Sequence, residues 1–483
     1  MGHIIYSISC KACNGNGLKS QGISKKKLLR YQAALTQFIK ENNRGIAPIK
    51  PKSSMQLCTC CNGTGLIETN EQPSPNTKYP HIAIIGAGIG GIALALACLQ
   101  RQIPFTIFER DNSFNDRSQG YGLTLQQASK EIKKFGITNL NEGIISTLHL
   151  AHNTDGEIIG QWGLRRLANQ EAIKAKNQNK DTNIHIARQS LRLAFLNQLG
   201  DNKKVLWNHK LIDYNLEKNV ELTFDVNGVK KQFKADLLVG ADGIRSSVRK
   251  LLINESISPL RYLGCIVVLG ICKLNSLDIL DHPLLDGATV FQTANGTERM
   301  YMMPYDKESI MWQFSFPINE DDAKNLSKKG SEELKIEVEK RTQWHNPIPQ
   351  IIAATEANKI TGYPVYDRPL LNAELLENVG PITLIGDAAH PMSPFKGQGA
   401  NQALLDALLL AKKIKMVYDT QNEPINLRKD ILQPYEKEMI ERSSVKVKKS
   451  ADAAKFLHSD VVLKEGNVTF GSKFSSQNDK KNP

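Results

Sequence analysis

The residues whose types and spacing could do chemistry fall into two groups. Cys10, Cys13, Gly15 and Gly17 spell C-x-x-C-x-G-x-G, and Cys58, Cys61, Gly63 and Gly65 spell it again after 44 intervening residues. Each C-x-x-C supplies two thiolates on a tight knuckle, and its glycines let the backbone curl so that N–H groups face sulfur. Two knuckles complete a tetrahedral Cys₄ site of the structural zinc type. Closing the intervening loop costs modest entropy, which such a site outweighs. A dithiol redox pair and unligated cysteines are the competing readings. Cys60 is an extra thiol beside Cys61, whereas Cys98, Cys265 and Cys272 lie in apolar runs and read as core.

The second group begins at Gly86, Gly88 and Gly91, a G-x-G-x-x-G between the strand-like HIAIIGAG and the helix-like IGGIALALACLQRQ. The first glycine permits the tight turn, the second lets backbone approach a pyrophosphate, and the third lets helix and strand pack closely. The phosphates then meet the free N–H groups of a helix N-terminus. PFTIFER supplies the next strand of a βαβ unit, closed by Glu109 and Arg110. Glu109 stands 18 residues after Gly91, where a carboxylate can accept both hydroxyls of an adenosine ribose.

Two later segments repeat the pattern of a buried strand running into polar chemistry. DLLVGADGIRSSVRK carries Asp242 and Gly243, followed by Arg249. TLIGDAAHPMSPFKGQGANQALLDAL carries Gly386 and Asp387, then Gly397, Gln398, Gly399 and Asn401 ahead of an apolar helix. Asp387 at a strand end can accept from ligand hydroxyls, and a helix from about Gly399 aims the positive end of its dipole toward the same place, which favours negative charge there. The plain alternative for GDAAH is a capped helix start.

With these three motifs in this order, the sequence resembles the single-component flavoprotein aromatic hydroxylases over roughly residues 82 to 459. RSQGYGLTLQ and GDAAHPMSPFKGQGAN look most like the tetracycline-inactivating monooxygenases among them. The resemblance implies an FAD-binding, Rossmann-like α/β fold of the glutathione reductase type with an inserted β-sheet substrate domain. It also implies that the glycine turn, Glu109 and Arg110 hold the ADP half of FAD, that Asp242 and Gly243 lie near both FAD and NADPH, and that Gly386 and Asp387 hold the ribityl chain. Arg188, in IARQSLRLAFLNQL, matches an arginine that contacts FAD, and Arg117 matches one near the nicotinamide or flavin; an ordinary surface arginine is the alternative for Arg117. Pro394 and Phe395 sit in a loop that passes over the flavin in relatives. In that family NADPH reduces FAD, O₂ gives a flavin hydroperoxide, and its distal oxygen goes to an aromatic or polyketide-like substrate. The chemistry belongs to the cofactor, so no catalytic acid or base is nominated. The absence of a second G-x-G-x-x-G agrees with NADPH being admitted transiently. The tryptophans never form the W-x-W pair of flavin halogenases. The cysteine repeats resemble those of the DnaJ-type cysteine-rich domain, but two are present against its four, so chaperone activity does not carry over.

The elements that must position these groups divide the chain into residues 1–68, two knuckles around a basic helical spacer from Lys25 to Glu41; a linker, 69–80; the monooxygenase region, 81–459, with the substrate sheet inserted at about 255–365; and a polar tail, 460–483. Phe291, Met302, Met303, Trp312 and Phe314 are candidates for an apolar pocket wall, although period-2 aromatics favour plain core. The last long helix is expected from about Pro434 to Leu457.

Composition sets the bounds on these readings. Of 483 residues 41% are apolar and 23% charged, which excludes wholesale disorder. The formal charge of +13 is concentrated between Lys19 and Lys52, with nine Lys or Arg against Glu41 alone. That stretch reads as a solvated basic helix rather than a nucleic-acid or membrane patch. The uncharged run from Ile82 to Gln100 could mimic a membrane span, but its glycine spacing explains it better. The N-terminus lacks a charged-then-apolar secretion signal, so a reducing cytoplasm is expected. The leading expectation is an FAD- and NADPH-dependent monooxygenase with O₂ and a small aromatic substrate as partners. A flavin dehydrogenase or oxidase is an alternative, as is an interaction protein that recruits a partner through the zinc module.

Overall fold

In a computed structural model, the described residues are 5–51, 53–116, 120–163, 165, 183–200, 205–279, 281–421 and 424–464. The uncharged run is divided at the glycine turn. Ile82–Ile85 is a buried strand, and Ile89–Leu99 is a helix buried from Gly91 to its end. A helix apolar all round belongs inside a protein. Among the described residues no helix is long and apolar enough to cross a membrane.

The helix lies against a five-stranded parallel sheet in the order Val205–Leu206, Phe105–Phe108, Ile82–Ile85, Leu237–Gly240, Ile382–Leu384. Three of these strands carry the three motifs at their C-terminal ends, so the parallel register brings the motifs to one edge. Ligands of open α/β sheets bind outside the carboxyl ends of the strands. The helices Gly399–Thr420 and Gln433–Leu457 complete this layer, the latter at the expected place. An antiparallel meander, Lys210–Leu216, Val220–Val226 and Val229–Ala235, packs beside it through the stacked rings of Phe108 and Phe224, 4.3 Å apart.

A seven-stranded sheet forms the second body, in the order Ile158–Trp162, Leu148–His152, Thr289–Ala294, Arg299–Asp306, Ser309–Pro317, Arg261–Lys273, Ile360–Asp367. It is not confined to 255–365: its first two strands come from ahead of the second motif. Register sorts its side chains. Phe291 opposes Met302, which opposes Trp312, and Met300 opposes Phe314. This face packs on Leu334, Val338, Ile348, Ile351 and Ile352 from the helices Ser331–Arg341 and Ile348–Ala354. The alternate residues Gln292, Tyr301, Gln313 and Leu269 form one cross-strand row on the opposite face.

The N-terminal residues make two short antiparallel ladders, Tyr6–Ser9 with Leu66–Thr69 and Leu18–Ser20 with Met55–Leu57. The spacer forms the helix Lys25–Lys40, in which no residue is buried.

Candidate functional site

One cavity of about 1000 Å³ runs from the glycine turn to the polar row of the large sheet, the top of the range for ligand and cofactor sites, about 300–1000 Å³. Its first end is backbone. Gly86 has φ +106°, and a Cβ there would lie 2.6 Å from Ala241 O; one on Gly91 would lie 1.9 Å from Gly86 O. Gly91 is therefore a packing residue and not part of the cavity wall. Gly88 faces open space, where a Cβ would meet only Arg188 Nη2 at 3.8 Å, so a phosphate can approach the start of the helix Ile89–Leu99. Glu109 Oε2 accepts from Ala87 N–H at 2.7 Å and Oε1 from Asp111 N–H at 3.1 Å. A carboxylate has about four lone-pair sites, so both oxygens keep capacity for ribose hydroxyls.

Arg192 was not foreseen, although it stands one turn after Arg188 in the helix Arg188–Gln198. Its Nε donates to Ala87 O at 2.7 Å, and its guanidinium lies over Phe114 at 4.6 Å. It ties the glycine turn to that helix. Arg188 lines the cavity with its guanidinium 5.5 Å from the ring centre of Tyr121. Burial raises the Tyr121 hydroxyl pKa against the opposing charge of Arg188. Arg110 also lines the cavity; Arg117 lies outside the described residues.

At the second motif Asp242 Oδ2 accepts from Ser247 N–H at 2.6 Å, while Oδ1 is buried with no partner. Burial raises this carboxyl, with Ser246 and the backbone amides of Val248 and Ser247 opposing. An orphaned acceptor beside Gly243, on the cavity wall, fits a ligand hydroxyl or amide. Arg249 turns away: its Nη1 donates to Ala388 O and Ala389 O, both at 2.8 Å, and so locks the second motif to the third.

The third motif hangs on an aspartate that sequence reasoning passed over. Asp406 Oδ2 accepts from Gly386 N–H at 2.8 Å and meets His390 Nε2 at 2.7 Å, and Oδ1 accepts from Arg442 at 2.5 Å. Despite complete burial its pKa is lowered, by His390 first and then Arg442. The signal was an acidic residue inside the apolar run QALLDALLL, where a lone charge must be paired. This anchor presents Asp387, which is exposed to the cavity but otherwise enclosed; burial raises its carboxyl, opposed by His390 and Arg188. Gly386 and Gly397, each at φ +58°, shape the turns on either side. Pro394, Gly397 and Gly399 line the cavity.

Asn401 does not. Its Oδ1 accepts from Gln126 and Ala128 N–H, and its Nδ2 donates to Thr124 O and Gly397 O, at 2.8–3.1 Å. With both amide ends saturated it holds the loop from behind. This corrects its expected place among cofactor contacts.

At the far end the wall is Val290, Gln292, Arg299, Tyr301, Met303, Met311 and Gln313, with His149, Trp162 and Phe395. Of the apolar candidates, Met303 lies here and Phe291 reaches the edge. Met302, Trp312 and Phe314 point to the other face as core. The polar residues between them were missed because parity alone does not say which face is covered. Gln313 Nε2 is buried without a partner. His185 and His149 share the Ser146 hydroxyl, at 2.8 and 3.0 Å. Burial lowers them to about 3 and about 4, so both are neutral at pH 7.

Away from the cavity, Cys10, Cys13, Cys58 and Cys61 bring four sulfurs within 4.8 Å of one another, with Cys10 to Cys58 at 4.0 Å and Cys13 to Cys61 at 3.7 Å. A tetrahedron with Zn–S of 2.3 Å has edges of about 3.8 Å, so the donor set fits zinc. Gly17 N–H and Gly65 N–H point at Cys13 Sγ and Cys61 Sγ, each at 3.2 Å. Cys60 is exposed, and Cys98, Cys265 and Cys272 are buried singly.

Comparison with known proteins agrees with the cavity. The family described as FAD binding domain matches residues 79–444. Among curated relatives, chloroplastic zeaxanthin epoxidase of Oryza sativa subsp. japonica is 26% identical over 76% of this chain and 54% of its own. The chain thus spans about half that enzyme's length. Aurachin C monooxygenase/isomerase of Stigmatella aurantiaca is 28% identical over 69% and 80%. Among solved structures, Klebsiella pneumoniae HpxO complexed with FAD and uric acid superposes with a TM-score of 0.65 at 20% identity, over 80% of this chain and 91% of that one. Tetracycline destructase Tet(51) does so at 0.57 and 18%, over 83% and 96%.

Proposed function

The chain belongs to the FAD binding domain family as an FAD-dependent monooxygenase, and on that premise we propose that it uses NADPH and O₂ to hydroxylate an aromatic or polyketide-like small molecule. The observation that carries this reading is the continuity of one cavity from the phosphate-ready turn at Gly86 and Gly88 to the row Gln292, Tyr301 and Gln313. Bound FAD supplies hydride acceptance from NADPH and activation of O₂ for transfer to the substrate. The chain's own part is positional. Gly88 and the helix behind it receive the pyrophosphate, Glu109 the ribose, and Asp387 the ribityl hydroxyls. The loop of Pro394 and Phe395 closes over the ring, and Met303, Met311 and Trp162 exclude water around an aromatic guest. Tyr301, Gln313 and Arg299 offer hydrogen bonds that orient its oxygens. His149 and His185, neutral at pH 7, bring ring N–H groups but no positive charge to this wall.

The four N-terminal cysteines form, in the same reading, a structural Cys₄ zinc site within residues 1–68, joined by 69–80 to the monooxygenase region 81–459 and followed by the tail 460–483. A reducing compartment such as the cytoplasm keeps these thiols available to metal. The deciding experiment is anaerobic and aerobic turnover of the purified yellow protein against a panel of phenols and polyketides, with ¹⁸O₂. Substrate-stimulated NADPH oxidation with ¹⁸O in the product is expected. Product lacking the label, with peroxide formed stoichiometrically, would mean an oxidase instead.

A further inference from the structure

Arg101 is among the largest fully buried side chains of the protein, 1% exposed, two residues beyond the helix Ile89–Leu99 that begins at the glycine turn. Its Nη1 donates to Ala97 O at 3.0 Å, and its Nε is buried with no partner. No carboxylate pairs with it among the described residues. A guanidinium in that position needs a compensating negative charge.

What lies opposite is the cysteine module. The Cβ position of Gly15, inside the first C-x-x-C-x-G-x-G, is 3.8 Å from Arg101 Nη2. The preceding Gln100 O accepts from Ser9 N–H at 2.8 Å and from Ser9 Oγ at 3.1 Å, so the strand leading into Cys10 is tied to the end of the same helix. Four thiolates around a divalent ion sum to a net charge of about −2, which a guanidinium buried beside the first knuckle offsets in part.

We propose that Arg101 is a counter-charge of a metal-loaded Cys10, Cys13, Cys58 and Cys61 site, so that metal occupancy of the N-terminal module stabilises the FAD-binding unit through the helix Ile89–Leu99. The inference rests on the zinc reading of the four cysteines. Without the metal the two knuckles are no longer clamped together, and Arg101 remains at the end of the helix with no compensating charge. The module is then a brace of the cofactor site rather than an appendage, and metal loss there loosens FAD some distance from any cavity residue.

The test is a cycle on the full-length holoprotein. Metal content is measured by elemental analysis, zinc affinity by competition with a chromophoric chelator, and FAD release by the rise of flavin fluorescence on heating. Chelation of the wild type is expected to lower the temperature of FAD release by several degrees. Arg101→Met is expected to weaken zinc at least tenfold, and chelation then to shift FAD release far less than in the wild type; Arg101→Lys should restore most of both. Arg101→Gln, which keeps hydrogen-bonding capacity without the charge, is expected to weaken zinc several-fold and keeps the test valid if Arg101→Met does not fold. Zinc affinity within twofold of wild type in Arg101→Gln and Arg101→Met, or an FAD-release temperature indifferent to chelation, overturns the coupling while leaving the zinc site intact. Protein purified without stoichiometric metal, and taking up none, overturns the zinc reading itself.

Discussion

The cysteine module and the first βαβ unit use glycine for the same purpose and are held together by opposite means. In the module Gly17 and Gly65 aim N–H groups at sulfur; at Gly88 the backbone is open to the cavity, where a phosphate can approach. Yet the buried core of the module's knuckles is the four cysteines themselves, while Leu18, Met55 and Leu57 of its ladders are exposed. The βαβ unit buries Ile82, Ile84, Ile92, Leu94 and Ile107 completely. The difference teaches that apolar burial holds the βαβ unit, whereas the module buries little besides four thiols suited to a metal, with Arg101, at the end of that unit's helix, packed beside it.

The largest effect that sharpens this contrast is metal removal. Structural zinc supplies about 10–16 kcal/mol in small domains, so chelation should abolish amide protection across Tyr6–Ser9 and Leu66–Thr69 in hydrogen exchange, while Ile82–Ile85 stays protected at 25 °C. Retained protection in both would break the comparison.

Apolar truncation should show the reverse. Leu94→Ala removes a fully buried side chain and is expected to cost about 2–5 kcal/mol in denaturant unfolding. Leu57→Ala, 63% exposed, should stay within about 0.5 kcal/mol.

Adding one methyl to a glycine tests the shared feature. A Cβ at Gly91 would sit 1.9 Å from Gly86 O, and one at Gly17 would sit 2.1 Å from Gly63 O. With overpacking at about 1–3 kcal/mol, Gly91→Ala should weaken FAD roughly 10- to 100-fold in a fluorescence titration and leave zinc near its wild-type affinity. Gly17→Ala should weaken zinc by a similar factor.

The smallest effect concerns charge at the cavity. Burial, with Lys449 and Lys446 adding to it, lowers Lys396 to about 8. A lowered lysine is a cation below that value and neutral above it, so attraction for an anionic dinucleotide is present at pH 7 and fades by pH 9. Worth about 0.5–1 kcal/mol for a partly screened charge, this should raise the KM for the proposed co-substrate NADPH about two- to fivefold over that range in initial-rate assays. Lys396→Met should remain at the higher value throughout.

Much of the site was legible because its signals are local. The turn at Gly86 needs a conformation at φ > 0 and a close helix crossing that few residues satisfy, and Asp242 and Asp387 each follow a buried strand. Asn401 misled because a polar residue beside a cofactor motif looks the same whether it touches the ligand or holds the loop. Asp406 and His390 were legible only as an oddity of composition.

What the sequence alone determined was the βαβ unit, the three motif turns, the two cysteine knuckles and the ends of the last helix. Each depends on neighbours within a few residues, through backbone conformation or side-chain period. Tertiary structure decided which parity of the large sheet meets the cavity, since alternation defines two faces and helices, among them Ser331–Arg341 and Ile348–Ala354, cover one of them. It also decided that Arg101, 86 positions after Gly15, lies beside the first cysteine knuckle, its Nη2 3.8 Å from the Gly15 Cβ position. Charges have no period in a sequence, and only the closed chain shows which of them must answer one another.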